Sequence, residues 1–266
     1  SAFMATVLDD ETAQAARNTL GIDGLGSAFR NRIINGAMLV AQRGTSATVT
    51  AGTAVPTASA GYPCVDRWFV YSTGANVTAA QVGSGLATNR LQITGAASVT
   101  AVGIGQRIEQ ANSADLAGQT VTLSVDLANS LLTEVTWTLS YAKTADAFGT
   151  IGTPTKTQIA TGTFTVNGAP TRYTAQITLP AGATTGLEIL FTVGAQVSGT
   201  WQVGNVQIER GETAGTFDPR PYGQELSLCQ RYLPAFKSSS TNDHFGNGVA
   251  VSATAARIQF QYRTTP

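Results

Sequence analysis

The chain is short of charge. Only 12% of its residues are Asp, Glu, Lys or Arg, about half the share of an ordinary globular domain. Sixteen basic residues balance sixteen acidic ones, so long-range attraction to phosphate or to an anionic membrane surface is weak, and no nucleic-acid partner is expected. No stretch has the ~18 consecutive apolar residues of a membrane helix, so no membrane insertion is expected either. Nothing at the start reads as a signal peptide. Ser1 stands where an initiator Met would be, which suggests a processed chain or a piece of a longer one.

Histidine and cysteine are nearly missing. The single histidine, His244, sits in a Ser/Asn/Gly stretch with no second imidazole for a metal cage or a Ser-His-Asp triad. Phosphate loop, dinucleotide fingerprint and CxxC pair are all lacking. Gly103-Ile-Gly105 reads as a turn before a strand, with no helix to hold a phosphate. No cofactor and no metal are therefore expected. Cys64 and Cys229 are too few for a disulfide framework in 266 residues. Two free buried thiols are the expected state; a bridge needs Cα atoms within ~7 Å.

Thr, Ala, Gly and Ser occupy the places that charge leaves. With 42% hydrophobic residues the chain has enough apolar surface for a core, which excludes disorder. β-Branched Thr suits a pleated strand. The first 30 residues read as a helical segment and linker: Asp9 caps a helix over residues 10–20, with Gly21 after it and Gly24 and Gly26 in the linker. So short a helix must dock, either on its own domain or as a collar around a symmetry axis.

Residues 31–212 read as an antiparallel β-sandwich of jelly-roll type, all-β in class. Residues 33–40 are nearly all apolar and read as a strand buried on both faces. Residues 44–61 read as a long Thr/Ala/Gly/Ser loop. Strict alternation follows in residues 121–127, 134–141, 173–179 and 187–193, each run placing one face inward and wetting the other. Residues 65–72 are apolar on both faces, so a cover is expected over that strand as well. In residues 201–208 the parity slips at Gly204-Asn205, the mark of a β-bulge. No helical crossover interrupts the strands, and no internal repeat points to a solenoid. Residues 213–266 read as a Pro-rich connector, a short helix spaced through Leu226, Cys229 and Leu233, and the opening strands of a second, incomplete β domain.

Catalysis finds little support. A glycosidase needs two carboxylates ~5–10 Å apart, but the acids occupy ordinary places. Asp9, Asp10 and Glu11 start a helix; Asp126 and Glu134 lie on wetted faces; Glu209 and Glu212 end a strand. Asp66 suits an ion pair or backbone hydrogen bonds. No enzyme is read here. Sugar recognition needs aromatic faces for stacking and a few polar groups for the hydroxyls. The candidates are Tyr71 on the two-faced strand, Trp201 beside the bulge, and Trp137, for which core packing is the leading reading, as for Trp68 and Tyr141.

A resemblance runs through most of these landmarks. Asn31-Arg-Ile-Ile-Asn-Gly36, Gln42-Arg-Gly44, Val65-Asp-Arg-Trp68, Gln106-Arg-Ile-Glu109, Leu116-Ala-Gly-Gln-Thr-Val-Thr-Leu-Ser124 and Val206-Gln-Ile-Glu-Arg-Gly211 resemble successive signatures of a bacteriophage tail fibre domain, a jelly roll similar to carbohydrate-binding modules. Phe217-Asp-Pro-Arg-Pro-Tyr-Gly223 with Leu226-Ser-Leu-Cys-Gln-Arg-Tyr232 resembles the segment that follows it. Val7-Leu-Asp-Asp10 with Ala15-Ala-Arg-Asn-Thr-Leu-Gly-Ile22 is similar to the helical stretch found upstream. The resemblance implies a homotrimeric fibre or spike component of a virion, assembled in the host cytoplasm with other tail or baseplate proteins. It also implies recognition of host surface polysaccharide or lipopolysaccharide. A ligand-free shaft or connector and a glycan depolymerase are the competing roles. Related modules hold calcium after the Asn-Gly turn; here Gly36 is followed by Ala37 and Met38, not by an acid.

Overall fold

The computed structural model describes residues 30–57, 60–83, 89–235, 247–252 and 255–259. The expected helix over residues 10–20 and His244 lie outside the described residues. Two antiparallel sheets form a sandwich. One runs in the order β1 (Ser46–Val49), β3 (Val77–Val82), β4 (Arg90–Thr94), β11 (Thr200–Arg210), β6 (Thr120–Asn129) and β9 (Thr171–Thr178). The other runs β2 (Phe69–Thr73), β5 (Ala101–Ile108), β10 (Leu187–Val193), β7 (Glu134–Ala142) and β8 (Lys156–Thr165). No helix among the described residues is long and apolar enough to cross a membrane.

The period-2 runs explain why these strands pack. Val121, Leu123, Val125 and Leu127 of β6 point inward with Trp201, Val203, Val206 and Ile208 of β11. They meet Val135 and Leu139 of β7, Leu187, Ile189 and Phe191 of β10, and Val102 and Ile104 of β5. Each such aliphatic side chain removed from water contributes about 1.5–3 kcal/mol. The parity slip in β11 is a register shift between Gly204 and Gln207, with Asn205 in the left-handed region at φ 45°. Val206 and Ile208 therefore return to the core after the bulge. A second shift falls between Leu139 and Ser140, where β8 skips Ile159.

Several expectations change. Residues 33–40 are almost wholly buried but form turns, not a strand. Asn35 (φ 57°) and Met38 (φ 55°) adopt left-handed backbone. The Asn35 amide Nδ2 donates to the carbonyls of Val40 (2.8 Å) and Asp66 (2.9 Å), and the Asn35 backbone carbonyl accepts the Trp68 indole N–H at 3.0 Å. Burial satisfied by a side chain replaces the ladder a strand would need. The stretch expected as loop over residues 44–61 contains β1. Gly103 and Gly105 lie inside β5, not in a turn before it.

The free edge beside residues 65–72 is capped by the chain itself. β2 is an edge strand, and Gly52 and Gly61 bond to its free rim: the Gly52 N–H donates to Ser72 O and the Val70 N–H to Gly61 O. A corresponding cover lies on β11, where β4 pairs only as far as Gly204. Beyond that point residues 30–36 take its place, with the Arg32 N–H donating to Ile208 O and the Val206 N–H to Gly36 O.

The compact unit runs to Pro219, because residues 211–218 return as a strap over the six-stranded sheet. The Gly211 N–H donates to Thr120 O and the Asp218 N–H to the Gln207 side chain. Arg172 lies over the Phe217 ring. Thr122, Ser124, Gln207 and Glu209 are consequently buried, although their parity marks them as wetted. From Arg220 a separate unit carries α1 (Tyr222–Gln230) and the hairpin β12 (Asn247–Ser252) and β13 (Ala255–Gln259). Pro221 precedes α1 as its cap, and Arg220 pairs with Glu225 in the first turn. Cys64 and Cys229 are both buried, and neither is in a disulfide.

Candidate functional site

Strand register places a threonine-rich surface on the outer face of the five-stranded sheet. Tyr71, Gly103, Thr192, Thr136 and Thr163 form one cross-strand row, one residue from each of β2, β5, β10, β7 and β8. The next row is Phe69, Gly105, Leu190, Thr138 and Thr161. Thr161 and Thr163 are exposed, and Thr136, Thr138, Leu190 and Thr192 are half-buried. The Thr138 and Thr161 hydroxyls are 3.1 Å apart. These rows offer hydroxyls that both donate and accept, methyl groups, and no charge.

Charge is concentrated at one end of the face, in the third row, and is compensated there. Glu188 has only 1% of its side chain exposed. Arg107 Nε approaches one carboxylate oxygen at 2.8 Å, and Lys156 Nζ pairs with the other. A second Arg107 nitrogen donates to Gly149 O, and the guanidinium lies over the rings of Phe69 and Phe148. Two loops close over this end: the Ile151 N–H donates to Val55 O and the Gly152 N–H to Thr53 O, each at 2.8 Å. The loop beside β2 and the β7–β8 connection thus join across the face.

Tyr71 and Phe69 lie against the glycines of β5. A Cβ on Gly103 would stand 2.1 Å from the Tyr71 ring, and one on Gly105 2.3 Å from the Phe69 ring. Glycine at both positions lets the rings rest on the sheet. Burial pushes the Tyr71 hydroxyl above the usual tyrosine range, and the Glu188 carboxylate adds to the shift.

The three aromatic candidates are not brought together. Tyr71 is on the described outer face but only 8% exposed, so its ring is largely covered. Trp137 points inward from the same sheet; its ring packs on Gly162 and on Phe164, whose ring in turn contacts Tyr173 at 5.3 Å. Trp201 points inward from the opposite sheet and has no exposed surface. A ring buried on both sides gives no stacking platform, so the structure makes Trp201 and Trp137 core residues. Trp68 is fully buried too, while Tyr141 packs partly buried against the core. Asp66 accepts the Gln42 backbone and side-chain N–H groups.

Arg107, Glu188 and Lys156 were not signalled by any local pattern. They are separated by 81 and 32 positions along the chain and meet only through the order β5-β10-β7-β8. Among the described residues no group of three His, Cys, Asp or Glu side chains could hold a metal ion.

A scan against models of known protein families finds no match, and neither does a search of characterised protein sequences. Similar solved structures exist. The enzymatically active domain of tailspike protein 4 from bacteriophage CBA120 is 15% identical, with a TM-score of 0.44 over 70% of this chain and 22% of that one. A family 4 carbohydrate-binding module is 16% identical, with a TM-score of 0.44 over 66% of this chain and 98% of its own. A family 61 module in complex with β-1,4-galactotriose is 10% identical, with a TM-score of 0.41 over 68% of this chain and 99% of its own. The chain therefore spans about a fifth of the tailspike and nearly all of each module.

Proposed function

We propose that the chain is a component of a phage tail fibre or spike and binds host surface glycans on the outer face of its five-stranded sheet. The observation that carries this reading is the open, uncharged surface of Thr136, Thr138, Thr161, Thr163, Thr192 and Leu190. Neighbouring hydroxyls and methyl groups suit the alternating polar and apolar edges of a sugar ring. The Tyr71 hydroxyl borders the same face. The sequence resemblance to tail fibre domains supplies the particle, the homotrimer and the tail or baseplate partners. Affinity per site is weak in this reading, and trimer avidity multiplies it.

The reading is of binding without hydrolysis. Glu188 is buried and held between Arg107 and Lys156, which leaves it no free path to a substrate. The test is calorimetric titration of the full chain with soluble capsule and lipopolysaccharide O-chain fragments, with sugar size followed in parallel. Binding that weakens at least tenfold in Thr161→Arg and Thr163→Arg, with fragment size unchanged, supports the proposal. Absence of binding at millimolar sugar, or binding indifferent to both substitutions, overturns it. Light scattering checks the trimer.

A further inference from the structure

The segment that leads into the sandwich and the strap that leaves it are joined directly to each other. The Arg30 guanidinium donates to Thr216 O, and Arg30 Nε is 3.3 Å from Glu209 Oε2, an ion-pair contact. Glu209 Oε1 accepts the Gly215 N–H at 2.8 Å and the Gln207 side-chain N–H at 2.7 Å. Gln207 Oε1 in turn accepts the Asp218 N–H at 2.9 Å. Glu209 is 4% exposed in its side chain, so its end of the cluster is sheltered from water, while the Arg30–Thr216 contact lies at the surface. A Cβ at Gly215 would stand 2.8 Å from an Arg30 nitrogen and 3.0 Å from Glu209 Oε2; a side chain there would push the two charged groups aside.

Topology gives this clasp a mechanical meaning. Strand β11 is eleven residues long, about 35 Å. A module threaded in line along a fibre would receive the chain at one end of that length and release it at the other. Here the chain arrives at Arg30 and departs at Thr216 within one side chain's reach. We infer that the clasp is a mechanical shunt between the segment that enters the sandwich and the strap that leaves it. Tension between the flanking segments enters and leaves at the Arg30–Glu209–Thr216 clasp, at the last residues of β11, and is not carried along the length of the strands. The strap peels before the sheets are loaded, and the outer face of the five-stranded sheet stays clear of the load path. This inference does not depend on glycan binding, and it opposes a role as an in-line shaft.

Single-molecule pulling on the full chain tests it, with handles coupled to unnatural amino acids at Ser27 and Pro219. The expected trace has two steps. Peeling of residues 211–218 releases about 25 Å, and a later, separate event releases about 600 Å as the sandwich unfolds. In Glu209→Gln, and independently in Gly215→Leu, the first step moves to lower force or vanishes while the large event keeps its force and length. One combined event in the unsubstituted protein overturns the inference. So does a total gain short by about 35 Å, the folded length an in-line module already spans. A large event that weakens together with the first step in both variants overturns it as well. Thermal melting of each variant identifies a global loss of fold, so that only folded protein is pulled.

Discussion

Replacing Glu188 by Gln probes the charged end of the sheet face at its centre. The amide keeps the size of the carboxylate but leaves Arg107 and Lys156 facing each other without a counter-charge. Breaking a buried ion pair from one side costs about 3–5 kcal/mol. The two cations are 20% and 15% exposed, so water relieves part of this, and about 2–4 kcal/mol is expected. In a sandwich of this size that lowers Tm by about 5–15 °C. Circular dichroism melting at pH 7 reads the change, and Glu134→Gln, on an exposed residue, is the control expected within about 0.5 kcal/mol. The same variant, selectively labelled at tyrosine, gives a second reading by NMR. The Tyr71 pKa falls when the carboxylate is removed but stays above the usual range, because burial is the larger cause. Equal melting of the two variants, or a Tyr71 titration that does not move, would refute the arrangement described.

Four further outcomes follow from particular contacts. Gly103→Ala forces the Tyr71 ring off β5 and costs about 1–3 kcal/mol, and Tyr71→Ala in the same chain recovers part of that in a double-mutant cycle. Tyr71 and Cys64 both have pKa values raised by burial, so the unfolded state releases those protons first. Their contribution to stability is complete below the unfolded pKa values, about 8.5 for Cys and 10 for Tyr, and is lost as pH rises through the folded ones. Denaturant midpoints measured from pH 7 to 11 should therefore decline, less steeply in Tyr71→Phe. Leu127→Ala, at a fully buried site of β6, lowers stability by about 2–5 kcal/mol in urea titrations. Both thiols are buried and outside any disulfide, and a thiol reagent should modify them only on unfolding.

The sandwich was legible where the chain obeys a simple period. Val121 to Leu127 and Leu187 to Val193 alternate because one face of each strand is core, and the slip at Gly204-Asn205 was visible because Val206 and Ile208 change parity. Residues 33–40 were misread for a physical reason: apolar composition reports burial, not conformation. The left-handed turns at Asn35 and Met38 depend on side-chain hydrogen bonds with Val40 and Asp66. The wetted reading of Glu188 and Thr122 failed because what covers them lies far away in sequence. Trp201 beside the bulge drew a binding hypothesis, yet the bulge resets the residues after it and leaves Trp201 facing the core. The threonine rows are invisible in one dimension, since each takes a single residue from successive strands and needs the pairing order to exist.

The skipped Ile159 has a consequence for solubility. β8 is ten residues long, lies at the rim of its sheet and has exposed Thr at several positions, the profile of a strand on which a second chain could assemble. The register shift between Leu139 and Ser140 divides its unpaired rim into a short stretch, residues 156–158, and a longer one, residues 160–165. A bulge also adds local twist. Two copies meeting rim to rim can therefore match donors with acceptors over only part of the strand. With so little charge to keep copies apart, that interruption is a guard against stacking that works by shape.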